Sequence, residues 1–220
     1  MLYSNTSQVR SICIFGGAKS GNVPGLLDNA RHLGREIARS GLRLVYGGGT
    51  SGMMGAVAEA AIACSGEVVA IAPHFLIEHM QQPRSITQVI AVPDMHMRKR
   101  LMFDYADAFV ALPGGIGTID EMAEVMTWRK LRQHTKPVVI ANFNGFWSPW
   151  LMLLDHMQQQ GFVSSETTTC MLVAEAAADI LPLVSGGCSE AEIDPLRSVS
   201  DSGLPSIARQ RALDTHARAL

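Results

Sequence analysis

The sequence predicts an α/β fold of the Rossmann-like type: a doubly wound parallel sheet with helices on both faces. Short apolar segments alternate with longer segments whose apolar residues recur at helical spacing. Such alternation is typical of parallel strands joined by right-handed crossovers. At 220 residues, 47% hydrophobic and 17% charged, the chain suits one domain. We expect residues 1–184 to form this single domain and residues 185–220 to be a polar linker and C-terminal tail, with a weak helical pattern near its end.

The first half of the chain is predicted to contain three strands and two helices. Each strand is an apolar run that ends at glycine or proline, and each helix ends at a glycine, which commonly follows a helix C-terminus. The segment from His74 to Arg84 has no clear periodicity, so we expect a loop with a short helix ahead of Pro83. The predicted strands are 11–15, 42–46 and 68–72, and the predicted helices are 24–40 and 53–65.

The second half continues the alternation. Asp94 is a typical N-cap residue, and Gly161 is a typical residue at which a helix stops. The predicted strands are 86–92, 108–112, 138–141 and 171–173, and the predicted helices are 95–105, 119–131, 149–160 and 174–184.

Glycine-rich turns follow three of the predicted strands, at 16–21, 47–52 and 113–118. Because ligands of parallel sheets bind outside the carboxyl ends of the strands, the three turns are expected to meet at one edge. Glycine lets backbone N–H groups approach an anion closely, and a helix start adds unpaired N–H donors. The turn at 113–118 precedes a helix and is therefore suited to a phosphate, although its spacing matches neither the P-loop nor the dinucleotide fingerprint.

Glu121, which follows this turn, has two interpretations. Thr118 and Glu121 have the spacing of a capping box, in which the threonine caps the helix and the glutamate binds back to its start. The alternative is a functional carboxylate at the phosphate-binding edge. The two roles are compatible, and both interpretations stand at this point.

Several longer motifs resemble one known family. Residues 113–121 read PGGIGTIDE and residues 95–99 read MHMRK. Further motifs are VYGGG at 45–49, GMMG at 52–55, TW at 127–128 and KPV at 136–138. Together they strongly resemble the LOG family, whose members are cytokinin riboside 5'-monophosphate phosphoribohydrolases, long mislabelled as lysine decarboxylases. The resemblance covers about residues 11–183, nearly everything except the two ends.

This resemblance implies hydrolysis of the N-glycosidic bond of a purine riboside 5'-monophosphate to free base and ribose 5-phosphate. Positive charge develops on the sugar ring in the transition state of such a reaction. Arg98 and Glu121 correspond to the catalytic pair of the family, and similar proteins are dimers, so a homodimer is expected. The expected substrate-binding residues are Gly17, Lys19, Gly48, Gly49, Thr50, Met95, Lys99, Gly114, Gly115, Gly117 and Thr118, of which the last four anchor the phosphate.

The first glycine turn departs from the family pattern. Similar proteins usually show a run of serines there, whereas this chain has Ala18 and Lys19. The alanine removes a hydroxyl and the lysine adds a cation near the expected nucleotide. The departure therefore concerns the preference for base or phosphate and not the fold.

Composition excludes several classes of partner. The net charge of −2 gives no electrostatic basis for binding a nucleic-acid polymer, whereas a mononucleotide needs only a local anion site. The four cysteines and seven histidines are scattered, so we expect no metal and no cofactor.

The N-terminus lacks the features of a signal peptide, and no apolar run is long enough to cross a membrane. A reducing cytoplasm is the expected location.

Three alternative functions differ in what they require of the sequence. Lysine decarboxylation would need pyridoxal phosphate on a Schiff-base lysine, and none of the four lysines stands in a recognisable context for that cofactor. A broader nucleosidase that cleaves AMP or other nucleoside monophosphates fits the same motifs. A binding protein similar to molybdenum-cofactor carriers is the non-enzymatic alternative, and the retention of both Arg98 and Glu121 favours an enzyme over it.

Overall fold

A computed structural model describes residues 9–77, 86–165 and 171–186. Within these ranges, seven parallel strands form one sheet in the order β4-β3-β2-β1-β5-β6-β7. The strands are β1 (Ser11–Phe15), β2 (Arg43–Tyr46), β3 (Val68–Pro73), β4 (Gln88–Val92), β5 (Ala108–Ala111), β6 (Val138–Ala141) and β7 (Met171–Ala174). The helices are α1 (Leu26–Arg39), α2 (Gly52–Ala63), α3 (His74–Ile77), α4 (Met95–Asp104), α5 (Ile116–Lys130), α6 (Ser148–Gln159) and α7 (Ala177–Gly186).

The central strand β1 marks the point where the order of the strands reverses. It pairs with β2 on one side, with Cys13 opposite Val45, and with β5 on the other, with Cys13 opposite Phe109. The chain builds the sheet outward from β1 to β4 and then returns to add β5, β6 and β7. In such folds the crevice beside the reversal, at the carboxyl ends of the strands, is where ligands bind. The predicted fold class is confirmed.

Apolar side chains fill both faces of the sheet. Successive residues of a strand point to opposite faces. Ile12 and Ile14 accordingly pack in a cluster with residues of α1, α2 and α7, whereas Cys13 and Phe15 pack in another with residues of α4 and α5. A third cluster joins α5 and α6 to the β6–β7 side of the sheet. Because both faces are covered, the strands are apolar at almost every position, as the sequence showed.

A glycine allows α1 and α2 to pack closely. A Cβ atom on Gly34 would overlap the carbonyl oxygen of Val57 in α2 and would lie 3.1 Å from the Cβ of Ala60. The side chains around this contact, Leu33 and Ile37, are fully buried. The distance between the two helices therefore depends on the absence of a side chain at position 34.

His134 fastens α5 to the segment before β6. Its Nδ1 accepts a hydrogen bond from the backbone N–H of Lys136 at 3.1 Å, so its Nε2 carries the proton and donates to the carbonyl oxygen of Val125 at 2.8 Å. Burial lowers the pKa of this imidazole, which favours the neutral tautomer that both bonds require. The C-terminal half of α5 is thus held in place by a buried, uncharged histidine.

The sequence-based interpretation was wrong at the start of α5. The helix begins at Ile116 and not at Ile119, and its N-cap is Gly115, which makes no side-chain cap. Thr118 is therefore in the first turn, and the capping-box interpretation fails. The physical reason is Gly114: without a Cβ it leaves the space that the Thr118 hydroxyl occupies, so this side chain packs back over the turn.

The other predicted boundaries agree to within about three residues at most ends. Asp94 caps α4 as expected, since its Oδ1 accepts from the N–H of Met97 at 2.8 Å. The short helix expected ahead of Pro83 lies directly after β3, as α3, and residues 78–85 are outside the described ranges. Residues 187–220, which hold most of the predicted linker and tail, also lie outside them. No helix in the described ranges is both long enough and apolar enough to span a membrane.

We predict that Gly34→Ala destabilises the protein. The new methyl group must push α1 away from the Val57 carbonyl, and overpacking of this kind costs about 1–3 kcal/mol in the free energy of unfolding. Gly186→Ala is the matched control, because no atom lies within 4 Å of the corresponding Cβ position. Urea unfolding of both variants checks this: an unchanged stability of Gly34→Ala would contradict the close-packing account.

Candidate active site

The three glycine turns meet, as the sequence predicted, through the backbone of one residue. The N–H of Gly17 donates to the carbonyl oxygen of Pro113 at 3.0 Å, and its own carbonyl oxygen accepts from the N–H of Met53 at 3.0 Å. The hydroxyl of Ser51 also donates to the carbonyl oxygen of Ala18 at 2.9 Å. The turn after β1 is therefore hydrogen-bonded to the turns after β2 and β5.

Two helices begin at this edge without a side-chain cap. The N-cap residues of α2 and α5 are Ser51 and Gly115, and neither side chain accepts a bond from the helix start. The first N–H groups of a helix have no partner within the helix, and together with the helix dipole they attract anions. By contrast, α4 begins with the carboxylate of Asp94 as its cap. At the start of α2, the N–H groups of Met53 and Met54 already donate to the carbonyl oxygen of Gly17. The start of α5 is therefore the one of the two that offers backbone donors to a ligand.

The glycines of the third turn differ in what surrounds them. A Cβ on Gly114 would overlap the Thr118 hydroxyl and would lie 2.8 Å from the backbone nitrogen of Gly17, so the fold itself requires glycine there. No atom lies within 4 Å of the Cβ positions of Gly115 and Gly117. Packing therefore does not explain these two glycines, whereas close approach of a ligand to their backbone does.

Arg98 and Glu121 form a buried ion pair. Nη2 of Arg98, on α4, donates to Oε1 of Glu121, on α5, at 3.1 Å. The two side chains are 15% and 11% exposed, respectively. Glu121 lies one helical turn after Thr118, so the pair stands beside the start of α5. The structure thus brings the two predicted catalytic residues together next to the glycine turns.

The end of β2 and the start of α4 hold the guanidinium of Arg98 in position. A Cβ on Gly47 would overlap its Nη2 atom and would lie 2.7 Å from its Cζ, so the guanidinium packs directly on this glycine. Nη1 contacts the sulfur of Met95 at 3.6 Å. Gly47 belongs to the VYGGG motif but was not predicted as a site residue. The sequence placed the turn at 47–52 at the ligand-binding edge, but nothing in it indicated that Gly47 itself packs against Arg98.

Burial gives Glu121 an unusual ionisation. Removal of its carboxyl from water raises the pKa to about 7, and the nearby Arg98 guanidinium lowers it by less than burial raises it. A carboxyl with a pKa near 7 exists in both protonation states at neutral pH, which suits a group that exchanges protons during a reaction. The pair therefore combines a permanent cation with a titratable acid.

Lys99 pairs with two carboxylates of α5. Its Nζ is 3.2 Å from Oδ2 of Asp120 and 3.2 Å from Oε2 of Glu124, both on α5. Burial alone would lower the pKa of Lys99, but the bonds from the two carboxylates outweigh it and raise the pKa. This lysine was predicted as a substrate-binding residue, and its two partners were not foreseen. Glu124 stands three residues after Glu121, a helical spacing that the sequence already contained.

The remaining predicted residues border the same edge. Lys19 is exposed on the first turn, and Thr50 is partly buried in the second. Beside these turns an open depression of about 170 Å³ lies between the starts of α1 and α2. Its lining includes Ser20, Arg31, Thr50, Ser51 and Glu59.

The four lysines do not fit a pyridoxal phosphate enzyme. Lys99 is held by two carboxylates, and Lys136 donates to the carbonyl oxygen of Phe103 at 2.8 Å while its Nζ lies 4.0 Å from the centre of the Phe103 ring. Lys19 and Lys130 are exposed. None of the four, all of which the structure describes, stands in a pocket beside an anion site and a carboxylate that could hold the pyridine nitrogen. Within the described ranges, no group of three or more potential ligands is placed to hold a metal ion.

The fold and this site define a doubly wound α/β protein with a buried arginine–glutamate pair at the carboxyl edge of its sheet. The family described as "Possible lysine decarboxylase" matches residues 54–184. The chain is 40% identical over 178 residues to cytokinin riboside 5'-monophosphate phosphoribohydrolase LOG2 of Arabidopsis thaliana, covering 81% of this chain and 84% of that protein. It is 41% identical over 167 residues to cytokinin riboside 5'-monophosphate phosphoribohydrolase of Rhodococcoides fascians, covering 76% and 84%. The chain belongs to this family, the LOG family.

Solved structures share the architecture. The molybdenum cofactor binding protein of Rippkaea orientalis matches with a TM-score of 0.61 and 20% identity, covering 82% of this chain and 98% of that one. The Moco carrier protein of Chlamydomonas matches with a TM-score of 0.59 and 21% identity, covering 80% and 95%. At these identities the likeness shows the common fold alone.

We predict that Glu121→Gln stabilises the folded chain at high pH relative to the parent. A pKa raised by folding gives stability that is present below the unfolded pKa and is lost as pH rises through about 7. The stability of the variant relative to the parent should therefore rise between about pH 4.5 and 7 and level off above. Glu36→Gln, at an exposed ion pair on α1, is the matched control. Urea unfolding at several pH values checks this, and a pH-independent difference would contradict a Glu121 pKa raised by burial.

Proposed function

We propose that this chain is a hydrolase that cleaves the N-glycosidic bond of a purine riboside 5'-monophosphate, of the cytokinin type, to free base and ribose 5-phosphate. The observation that carries the proposal is the buried Arg98–Glu121 pair beside an uncapped, glycine-opened helix start. Relatives at about 40% identity are named as phosphoribohydrolases of this substrate class. In the reaction, the oxygen of water bonds to C1' of the ribose, the C1'–N bond breaks, and the base leaves with a proton.

The 5'-phosphate is assigned to the start of α5. Gly114, Gly115 and Gly117 supply backbone N–H groups, and Thr118 supplies a hydroxyl. The uncapped start of α5 and the open space at Gly115 and Gly117 support this assignment. Binding energy at the phosphate, which does not react, orients the sugar carbon that does. The second turn, with Gly48, Gly49 and Thr50, and the first turn, with Gly17 and Lys19, border the rest of the nucleotide.

Glu121 is assigned to the ribose. One turn beyond the phosphate site, its carboxylate can offset the positive charge that develops on the sugar ring and accept a proton from the attacking water. A pKa of about 7 makes both the carboxylate and the acid available near neutral pH. Arg98 keeps its charge, fixes the carboxyl through Nη2, and presents the rest of its donors to the nucleotide. Met95 contacts the same guanidinium and borders the base.

A broader nucleosidase that accepts AMP differs from a cytokinin-selective enzyme only in the pocket for the base. Exposed apolar side chains stand at this edge, Met95 and Met97 on α4 and Ile116 on α5, and they favour a substrate with an apolar substituent on the base. The carrier function remains the non-enzymatic alternative. A carrier has no need to bury a titratable carboxyl against an arginine, which favours the enzyme.

We further propose a homodimer in a reducing cytoplasm, acting without cofactor or metal. Met152 and Leu153 on α6 and Phe162 just beyond it are large apolar side chains exposed to solvent, and burial between two copies would remove them from water. Cys13 and Cys64 are free thiols in the described part of the chain, which accords with a reducing compartment.

We predict that Glu121→Gln lowers kcat by about 10²–10⁴ and that Arg98→Ala lowers it at least about a hundredfold, because each removes charge at the reacting sugar. Isopentenyladenosine 5'-monophosphate, AMP and isopentenyladenosine without phosphate are the substrates, and chromatography follows free base and ribose 5-phosphate. Arg100→Ala is the control, since Arg100 lies on the same helix, is 64% exposed and pairs with Asp104. Near-normal turnover in either site variant would remove the proposed mechanism, and no base release from any substrate would remove the proposed function.

We predict that Gly117→Ala folds as stably as the parent but raises KM for the monophosphate at least about tenfold. No protein atom lies within 4 Å of the new methyl position, whereas a phosphate at the helix start would meet it. Thermal unfolding tests the first half of this prediction and steady-state kinetics the second. An unchanged KM would place the phosphate elsewhere.

A further inference from the structure

A second set of ion pairs lies directly beside the Arg98–Glu121 pair. Lys99 follows Arg98 on α4, and Asp120 precedes Glu121 on α5, so adjacent residues of the same two helices make both sets of contacts. Lys99 also reaches Glu124, one turn further along α5, at 3.2 Å. Its side chain is only 15% exposed, although that of Asp120 is 60% exposed. Lys99 is therefore a largely buried cation between two carboxylates.

Two sets of contacts constrain the helices more than one does. The Arg98–Glu121 bond fixes one distance between α4 and α5, but the helices could still rotate about it. The Lys99 bonds to Asp120 and Glu124 add a second contact between the same two helices and so restrict this rotation further. The Lys99 ammonium therefore links the two helices that carry Arg98 and Glu121, and no ion pair joins it to Glu121 itself.

The charges of this second set also act on Glu121. The groups that face the carboxyl are Arg98 and Lys99 from α4, Asp120 and Glu124 from α5, and the buried thiol of Cys13 from β1. Burial dominates the ionisation of Glu121; the two cations favour its charged form and the two carboxylates oppose it. Lys99 offsets the field of Asp120 and Glu124, whose combined charge would otherwise keep Glu121 protonated to higher pH.

We propose that Lys99, together with Asp120 and Glu124, is a positioning group that fixes the geometry of the Arg98–Glu121 pair and sets the electrostatic field at the Glu121 carboxyl, without contacting substrate. Its catalytic consequence rests on the proposed hydrolase function, whereas its effect on the ionisation of Glu121 does not. Asp120 and Glu124 engage two of the three donors of the Lys99 ammonium, and its side chain is only 15% exposed. If Lys99 only stabilised the fold, its replacement would leave the pKa of Glu121 unchanged.

The experiment titrates Glu121 through stability, so it needs no activity. The difference in unfolding free energy between chains with Glu121 and with Glu121→Gln is measured from pH 4 to 9, in three backgrounds: the parent chain, Lys99→Met, and Asp120→Asn with Glu124→Gln. The stability difference changes with pH, and the pH at the midpoint of this change follows the pKa of Glu121. We expect this midpoint to move up by at least about half a pH unit in the Lys99→Met background, because a nearby cation is lost. We expect it to move down by a similar amount in the double carboxylate background, because two nearby anions are lost. Shifts in opposite directions distinguish a field effect from general damage.

Two further variants sharpen the result. Arg100→Met removes an equal charge from the same helix, at an exposed pair with Asp104, and should leave the midpoint unchanged. Lys99→Arg keeps the cation and should restore the parent midpoint. If Lys99→Met does not fold, the double carboxylate background decides alone. Unchanged midpoints, or equal losses of stability at all pH values, would overturn the proposal.

Kinetics provide the second readout. In Lys99→Met, the higher pKa of Glu121 should move the pH dependence of kcat toward alkaline pH. KM for the monophosphate should change less than about twofold. A large rise in KM without a shift of the pH profile would show that Lys99 contacts the phosphate and would overturn the positioning role. If the parent chain releases no base from any nucleotide, the hydrolase function fails, while the stability titration still decides the role of Lys99.

Discussion

The buried contact between Arg98 and Glu121 is the interaction on which the rest of this site depends. Each charge loses water when the helices pack, and the bond between them recovers only part of that cost, as the raised pKa of Glu121 shows. The surrounding structure is arranged to retain the pair. Gly47 leaves room for the guanidinium, and Lys99 ties the same two helices beside it. The site therefore keeps a desolvated carboxyl with a raised pKa next to an arginine, where chemistry is proposed.

The glycines of this chain serve two purposes that the structure separates. At Gly34, Gly47 and Gly114, a neighbouring group of the protein occupies the space of the missing side chain, so these glycines belong to the packing. At Gly115 and Gly117 that space is open. Only Gly115 and Gly117, where no protein atom fills the space, indicate that a ligand approaches the backbone. The distinction needs three-dimensional contacts, because all five residues look alike in the sequence.

Much of the fold was predictable, and the reasons are physical. Strands buried on both faces are continuous apolar runs, so β1 and β6 were placed at their observed bounds. The alternation of strands and helices then predicted a parallel sheet, and the sheet predicted that the glycine turns converge. The start of α5 was missed because Thr118 resembles a cap, while the space beneath it is made by Gly114. The partners of Lys99 were missed because side-chain contacts between α4 and α5 depend on how the two helices cross, which no local pattern encodes.

The backbone of Gly17 has a consequence of its own. Its N–H and its carbonyl oxygen bond to turns that lie nearly a hundred residues away in one case and about thirty-five in the other. A displacement of either segment is therefore transmitted to the other through Gly17, with the Ser51–Ala18 hydrogen bond beside it.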